Sequence, residues 1–289
     1  MNVRNVEFEI LGGKIAGKRW GEEGGVRVIA LHGWLDNANS FDLIAPALPE
    51  LDLLVLDFAG HGYSDHRPRH TPYIGMLNIQ EIIGVADQLK WESFCLMGHS
   101  MGAEVSTHII GLYPDRVERL LAIDGFAAST SPAQALQDIR KSIDENLHRV
   151  SSQMRLFNSR EEMAERVAES TGQTLESAQV LVERGAVDVA GGFSWRSDHR
   201  VRWSDALSLT DELLDHTVAS FKGNILVVGA SDGSDWYKPT IERLEGKFKH
   251  LIYITLNGSH HLHMDADTRP LVELIRDFFQ LEADSLHSR

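Results

Sequence analysis

The pentapeptide Gly98-His99-Ser100-Met101-Gly102 constrains this chain more than any other stretch. It follows the apolar run Phe94-Cys95-Leu96-Met97 and precedes a segment in which Val105, Ile109 and Leu112 recur at helical spacing up to Tyr113-Pro114. A serine between glycines at a strand-to-helix junction predicts a sharp turn that holds the serine backbone strained and its hydroxyl exposed. The flanking glycines avoid the clashes that side chains would make there. The helix that follows would point its first N–H groups at the same spot, where they can stabilise developing negative charge. Only a fold that brings a parallel strand, a tight turn and a helix together in this order can use such a sequence.

The rest of the chain agrees with that requirement. Val6–Ile10 and Lys14–Trp20 flank Leu11-Gly12-Gly13 and read as a hairpin, and Val26–Leu31, Leu53–Asp57, Phe94–Met97 and Leu120–Ile123 read as buried strands. Leu77–Leu89 has helical spacing. This alternation predicts a βαβ sheet. From Ala127 to Phe221 the strand pattern stops. Helices are expected over Ala133–Phe157 (with Ile139, Ile143, Leu147, Val150 and Met154 on one stripe), after the capping box Ser159-Arg160-Glu161-Glu162, over Thr174–Gly185 and over Leu209–Phe221. Strands resume at Ile225–Val228 and Leu251–Thr255, and Pro270–Leu281 reads as a closing amphipathic helix. The expected organisation is a core of residues 1–126 and 222–289 with a helical cap inserted at 127–221.

A chain of 289 residues with 43% hydrophobic content can bury a substantial core. Its formal net charge of −14 excludes a general affinity for nucleic acid. The one cysteine, Cys95, falls inside an expected strand, so no internal disulfide is possible. Neither a signal peptide nor an apolar run of about 18 residues is evident, so a cytoplasmic protein with no membrane partner is expected, as monomer or homodimer.

A serine nucleophile needs a base, an acid that orients the base, and donors for the oxyanion. The loops after the last two strands, Gly229-Ala230-Ser231-Asp232 and Asn257-Gly258-Ser259-His260-His261, supply a carboxylate and imidazoles just past strand ends, where ligands bind in open α/β sheets. His260, His261 and His263 all remain possible bases on this ground. The same run could offer metal-ligand atoms, but adjacent residues on one loop seldom converge on one ion, and no metal or other cofactor is expected. Oxyanion donors are expected from the backbone N–H of Met101, directly after the nucleophile, and of Trp34, where Gly33 permits a tight turn after Val26–Leu31. His32 reads as structural. Phe193, Trp195 and Trp203 are candidates to line a substrate pocket, or to fill the cap's own core.

Together, His32-Gly33-Trp34, Asp57-Phe58-Ala59-Gly60-His61-Gly62-Tyr63-Ser64, Gly98–Gly102 and His260–Asp265 resemble the α/β-hydrolase superfamily. The longer string His32–Phe41 is similar to its serine hydrolase-like branch. The resemblance implies a mostly parallel eight-stranded sheet flanked by helices. It selects His260, which follows a small residue and precedes Asp265 by five positions, as the base. It selects Asp232, three residues after the glycine closing its strand, as the acid, with Asp235 and Asp124 as alternatives. The implied reaction is hydrolysis of small carboxylic esters through an acyl-enzyme on Ser100, without cofactor. A carbon–carbon bond hydrolase, a cofactor-free perhydrolase and a low-turnover ligand-binding protein on the same fold remain alternatives. For an acidic substrate, Arg196, Arg200 or Arg202 could serve as binding groups, although pairing with Asp198 and Asp205 is the commoner fate of such arginines.

Overall fold

The computed structural model describes residues 2–148, 155–202 and 209–281. Its centre is an eight-stranded sheet. The strands β1 (Val3–Ile10) and β2 (Gly13–Trp20) form a hairpin, and Leu11 and Gly12 in its two-residue turn both take positive φ, at 54° and 75°. They are followed by β3 (Val26–Leu31), β4 (Leu51–Leu56), helix α1 (Gly75–Gln88), β5 (Phe94–His99), helix α2 (Met101–Leu112) and β6 (Val117–Ile123). After an inserted segment come β11 (Asn224–Asp232), α7 (Lys238–Leu244), β12 (Leu251–Ser259) and α8 (Arg269–Phe279). The strand order is β1-β2-β4-β3-β5-β6-β11-β12, antiparallel at β1/β2/β4 and parallel from β4 onward.

The central strands read as nearly continuous apolar runs, interrupted by Arg27 in β3 and Asp52 in β4, because both faces are covered. Alternate residues serve different layers. Ile29, Leu31, Leu54 and Leu96 pack with α1 and α2 on one face. Val28, Ala30, Leu53, Val55, Cys95 and Met97 pack with Leu271, Ile275 and Phe279 of α8 on the other. Cys95 is therefore a core side chain. Val105 and Ile109 of the expected α2 stripe are buried, but Leu112, in the last turn, lies exposed.

Between β6 and β11 run β7 (Ser129–Thr130), α3 (Pro132–His148), α4 (Arg160–Thr171), α5 (Leu175–Gly185), β8 (Ala186–Val189), β9 (Gly192–Trp195), β10 (Leu209–Thr210) and α6 (Asp211–Ser220). Three features differ from expectation. First, α6 packs on the main sheet: Leu214, Val218 and Phe221 share a buried cluster with Ile109 and Leu120, so the insertion ends before α6 rather than at residue 221. Second, β8 and β9 form an antiparallel hairpin around Ala190-Gly191, where helical structure alone was expected. Third, Ile139, Ile143 and Leu147 of α3 do share a stripe, but it is exposed. Val150, Met154, Trp203 and Asp205 lie outside the described residues.

The insertion has a small core of its own, made by Phe157, Met163, Ala164, Ala178, Val182 and Ala186. Ser159 caps α4 as its spacing predicts, accepting from Glu162 N–H at 3.2 Å, while the Glu162 carboxylate reaches back one residue further, to Asn158 N–H at 2.7 Å. The insertion is fastened to the sheet by polar contacts. Arg184 of α5 pairs with Asp57 after β4 at 2.7 Å, both side chains being almost fully buried. Asn37 Nδ2 donates to Leu181 O at 2.9 Å, and Trp34 Nε1 donates to Val201 O at 2.9 Å.

Candidate active site

Ser100 sits between the end of β5 and the start of α2 with φ 50° and ψ −116°, the strained turn that the glycine spacing predicts. The two flanking glycines are required by close approach. A Cβ on Gly102 would lie 2.1 Å from Leu31 O, and one on Gly98 2.4 Å from the Gly102 carbonyl carbon. The Ser100 N–H donates to Ile123 O at 3.0 Å, which ties the turn to the end of β6.

His260, directly after β12, brings Nε2 to 3.1 Å from Ser100 Oγ. Its Nδ1 lies 2.5 Å from Oδ2 of Asp124, the residue that follows β6. Asp124 is completely buried and takes φ 41°. Its Oδ1 accepts from Ala230 N–H at 3.0 Å and Tyr237 O–H at 2.8 Å, and its Oδ2 accepts from Ser234 N–H at 2.8 Å. Burial alone would push this carboxyl up, but the bonds from His260, Ser234, Ala230 and Tyr237 outweigh it and hold the group below its ordinary value. Gly233 is a third position where a side chain is excluded, since its Cβ would stand 2.4 Å from Asp124 Oδ1.

Asp232 does not join this group. The register of β11 against β12 shifts between Ala230 and Asp232, so the strand continues past the site and Asp232 pairs with Ser259. Its carboxylate is exposed beside the Ser231 hydroxyl, 3.5 Å away. The loop after β11 thus contributes the Ser234 N–H, the Ser234 hydroxyl 2.9 Å from His260 Nδ1 and the Tyr237 O–H, and the carboxylate comes from the preceding strand. Asp235 is also exposed and pairs with Lys238 Nζ at 2.7 Å.

The other expected residues divide similarly. Met101 is the first residue of α2, so its N–H has no partner within the helix. Trp34 lies on the turn from Gly33 to Asp36, where Asp36 N–H donates to Gly33 O at 3.1 Å. His32 is buried beneath that turn, its Nδ1 2.7 Å from Gly33 O and its Nε2 accepting from Phe58 N–H at 3.0 Å, which is a structural role.

Among the described residues, one cavity opens at Ser100 and another lies beside Met101. The larger, of about 540 Å³, is lined by Ser100, His260, Phe157, Leu181 and Trp195, with Arg155, Arg166 and Arg202 on its polar side. The smaller, of about 340 Å³, is bounded by Met101, Phe58, Tyr73 and His108, and Trp34 and Arg202 border both. Trp195 therefore faces the site. Phe193 packs on the insertion's own core instead, its backbone paired with that of Phe157 at 2.9 and 2.8 Å. Phe157 takes the wall position expected of Phe193. It lies in an irregular connector with no periodicity to mark it. Of the three arginines considered from the sequence, Arg200 is held by Asp198 at 2.6 Å and Arg196 packs over the Tyr63 ring, so only Arg202 faces the cavities.

The α/β-hydrolase fold family model matches residues 26–267. Among curated proteins, the chain is 28% identical to a serine hydrolase-like protein of Danio rerio, over 93% of this chain and 86% of the relative. It is 27% identical to serine hydrolase-like protein 2 of Homo sapiens, over 96% and 94% respectively. Among solved structures, a hypothetical protein of Pseudomonas aeruginosa PAO1 superposes with a TM-score of 0.89 at 34% identity, covering 96% of this chain and 99% of that one.

Proposed function

Since the chain belongs to the α/β-hydrolase fold family and is a hydrolase similar to its serine hydrolase-like branch, we propose that it cleaves carboxylic esters through an acyl-enzyme on Ser100, with His260 as base and Asp124 as the orienting acid. The observation that carries this reading is the continuous relay from Ser100 Oγ through His260 to the buried Asp124, opening on a cavity. His260 Nδ1–H donates to Asp124, which leaves Nε2 unprotonated and turned to the serine hydroxyl. As Ser100 Oγ attacks the ester carbonyl, Nε2 takes its proton and then passes it to the departing alcohol. The N–H groups of Met101 and Trp34 hold the oxyanion, each worth on the order of 3 kcal/mol in the transition state. Water activated by His260 then releases the acid. The helical part of the insertion acts as a cap, with Trp195 and Phe157 binding the acyl portion.

The three arginines on the larger cavity favour a substrate that carries an anionic group remote from the scissile bond. They also support a second reading, hydrolysis of a carbon–carbon bond in an acidic diketone by the same relay. A panel of neutral and carboxylate-bearing p-nitrophenyl esters, thioesters and diketones, compared by kcat/KM, separates the two. Ser100→Ala should abolish p-nitrophenol release and fluorophosphonate labelling, with a loss of about 10⁶ in kcat. A Ser100→Ala protein that keeps a tenth of the activity refutes the proposal.

A further inference from the structure

Behind the Ser100–His260 contact lies a second group of titratable side chains that acyl transfer does not use. Asp36 comes from the turn after β3, His99 closes β5, and His261 and His263 follow β12; all four are nearly or fully buried. His99 Nε2 lies 2.9 Å from the His260 carbonyl oxygen and donates to it. In the neutral ring the other nitrogen, Nδ1, then carries a lone pair, and it faces Asp36 Oδ2 at 3.3 Å. Neither of these buried atoms has a hydrogen-bond partner among the described residues. On the other side of the carboxylate, His261 Nε2 stands 3.7 Å from Asp36 Oδ1. Buried acceptors turned toward one another are costly unless something positive stands between them.

The His99–Asp36 separation of 3.3 Å is that of two ligands in one coordination shell, and the His261–Asp36 separation of 3.7 Å is slightly longer. Ligand atoms bound tetrahedrally at about 2.0–2.1 Å lie about 3.3 Å apart. One ligand atom from each of Asp36, His99 and His261 falls within 4.8 Å of the others, a separation that one ion drawing the three side chains together would have to shorten. A metal-bound imidazole usually donates its remaining ring N–H to a carbonyl or carboxylate, which fixes its orientation. His99 already makes that bond, to the backbone of His260. The objection that neighbouring residues on one loop cannot converge does not apply, because the three ligands come from three separate elements.

We propose that Asp36, His99 and His261 form a binding site for a divalent transition cation of the zinc class. One carboxylate and two imidazoles make a donor set suited to zinc or cobalt rather than to magnesium or calcium. All three residues also line the larger cavity, so the fourth position opens onto it and can hold water. The site stands apart from the relay, which keeps both nitrogens of His260 for Ser100 and Asp124.

The test is titration of the chelator-treated full-length protein with Co²⁺, read by its visible d–d absorption, with Zn²⁺ as competitor in calorimetry. One Co²⁺ per chain is expected, with tetrahedral intensity and displacement by Zn²⁺. Asp36→Asn and His261→Gln should each weaken binding by at least the 10–100-fold, roughly, that loss of an outer-sphere partner costs. His260→Ala, which removes a neighbouring imidazole outside the set, should keep the band. Circular dichroism establishes that each variant is folded, and if Asp36→Asn is not, His261→Gln decides. Absence of a stoichiometric band, its survival in a folded ligand variant, or its loss in His260→Ala overturns the proposal.

Discussion

Replacement of Asp124 by Asn keeps size and shape and changes only what the side chain can accept. In the native protein its two oxygens receive four donors: Ala230 N–H and Tyr237 O–H on Oδ1, His260 Nδ1–H and Ser234 N–H on Oδ2. An amide offers one oxygen and one NH₂. If the NH₂ takes the Oδ2 position it meets Ser234 N–H and drives the His260 proton to Nε2, so that the imidazole can no longer accept from Ser100. If it takes the Oδ1 position it meets Ala230 N–H, and the charge that steadies the imidazolium is lost. Loss of the orienting carboxylate in a serine relay typically lowers kcat by about 10⁴, which is about 5.4 kcal/mol of transition-state stabilisation. One buried donor left without an acceptor costs a further ~1–3 kcal/mol of stability. The exposed Asp232→Asn should change kcat by less than about twofold and stability by less than about 0.5 kcal/mol. Both variants are to be compared with wild type in p-nitrophenyl acetate hydrolysis and in urea unfolding. If Asp232→Asn shows the large loss in kcat while Asp124→Asn stays within tenfold of wild type, the acid assignment is refuted.

Two further outcomes follow from buried charge. Burial pushes His108 down to about 4. The folded protein therefore holds it neutral while the unfolded chain takes a proton below about 6.5, so its stabilising contribution falls with pH between those values, by about 2 kcal/mol from pH 7 to pH 5. His108→Leu should flatten the pH dependence of the unfolding free energy from urea titration by that amount, and an unchanged slope would contradict it. Arg184→Met leaves the buried Asp57 carboxylate without its cation and should cost ~3–5 kcal/mol in urea unfolding, partly recovered by adding Asp57→Asn; a single-variant loss under about 1 kcal/mol would show that the pair carries no such role.

The sheet was legible because its central strands are buried on both faces, and continuous apolar runs such as Leu53-Leu54-Val55-Leu56 and Phe94-Cys95-Leu96-Met97 have no other stable use. The turn at Ser100 was legible because glycine is forced there by contacts under 3 Å. The acid was not, because Asp124 and Asp232 both stand at the ends of parallel strands. What separates them is a register shift in β11 that leaves no mark on the order of residue types. The boundary of the insertion was missed for a similar reason: α6 is an amphipathic helix like its predecessors, and only its partners show that it belongs to the main core. Phe157 and Asp36 were hidden because their placement depends on loops converging from distant parts of the chain.

Trp34 links two properties usually treated as separate. It borders both chambers, its Nε1–H is anchored to the carbonyl of Val201 in the insertion, and its backbone lies on the turn proposed to supply one of the oxyanion donors. A displacement of the insertion near Val201 is transmitted along one side chain to the point where negative charge would develop. On the proposed assignment of Trp34, selectivity and reactivity would be coupled. Drift in the insertion that widens one chamber also detunes the donor, so a lineage changing its substrate would have to re-seat the indole before recovering its rate.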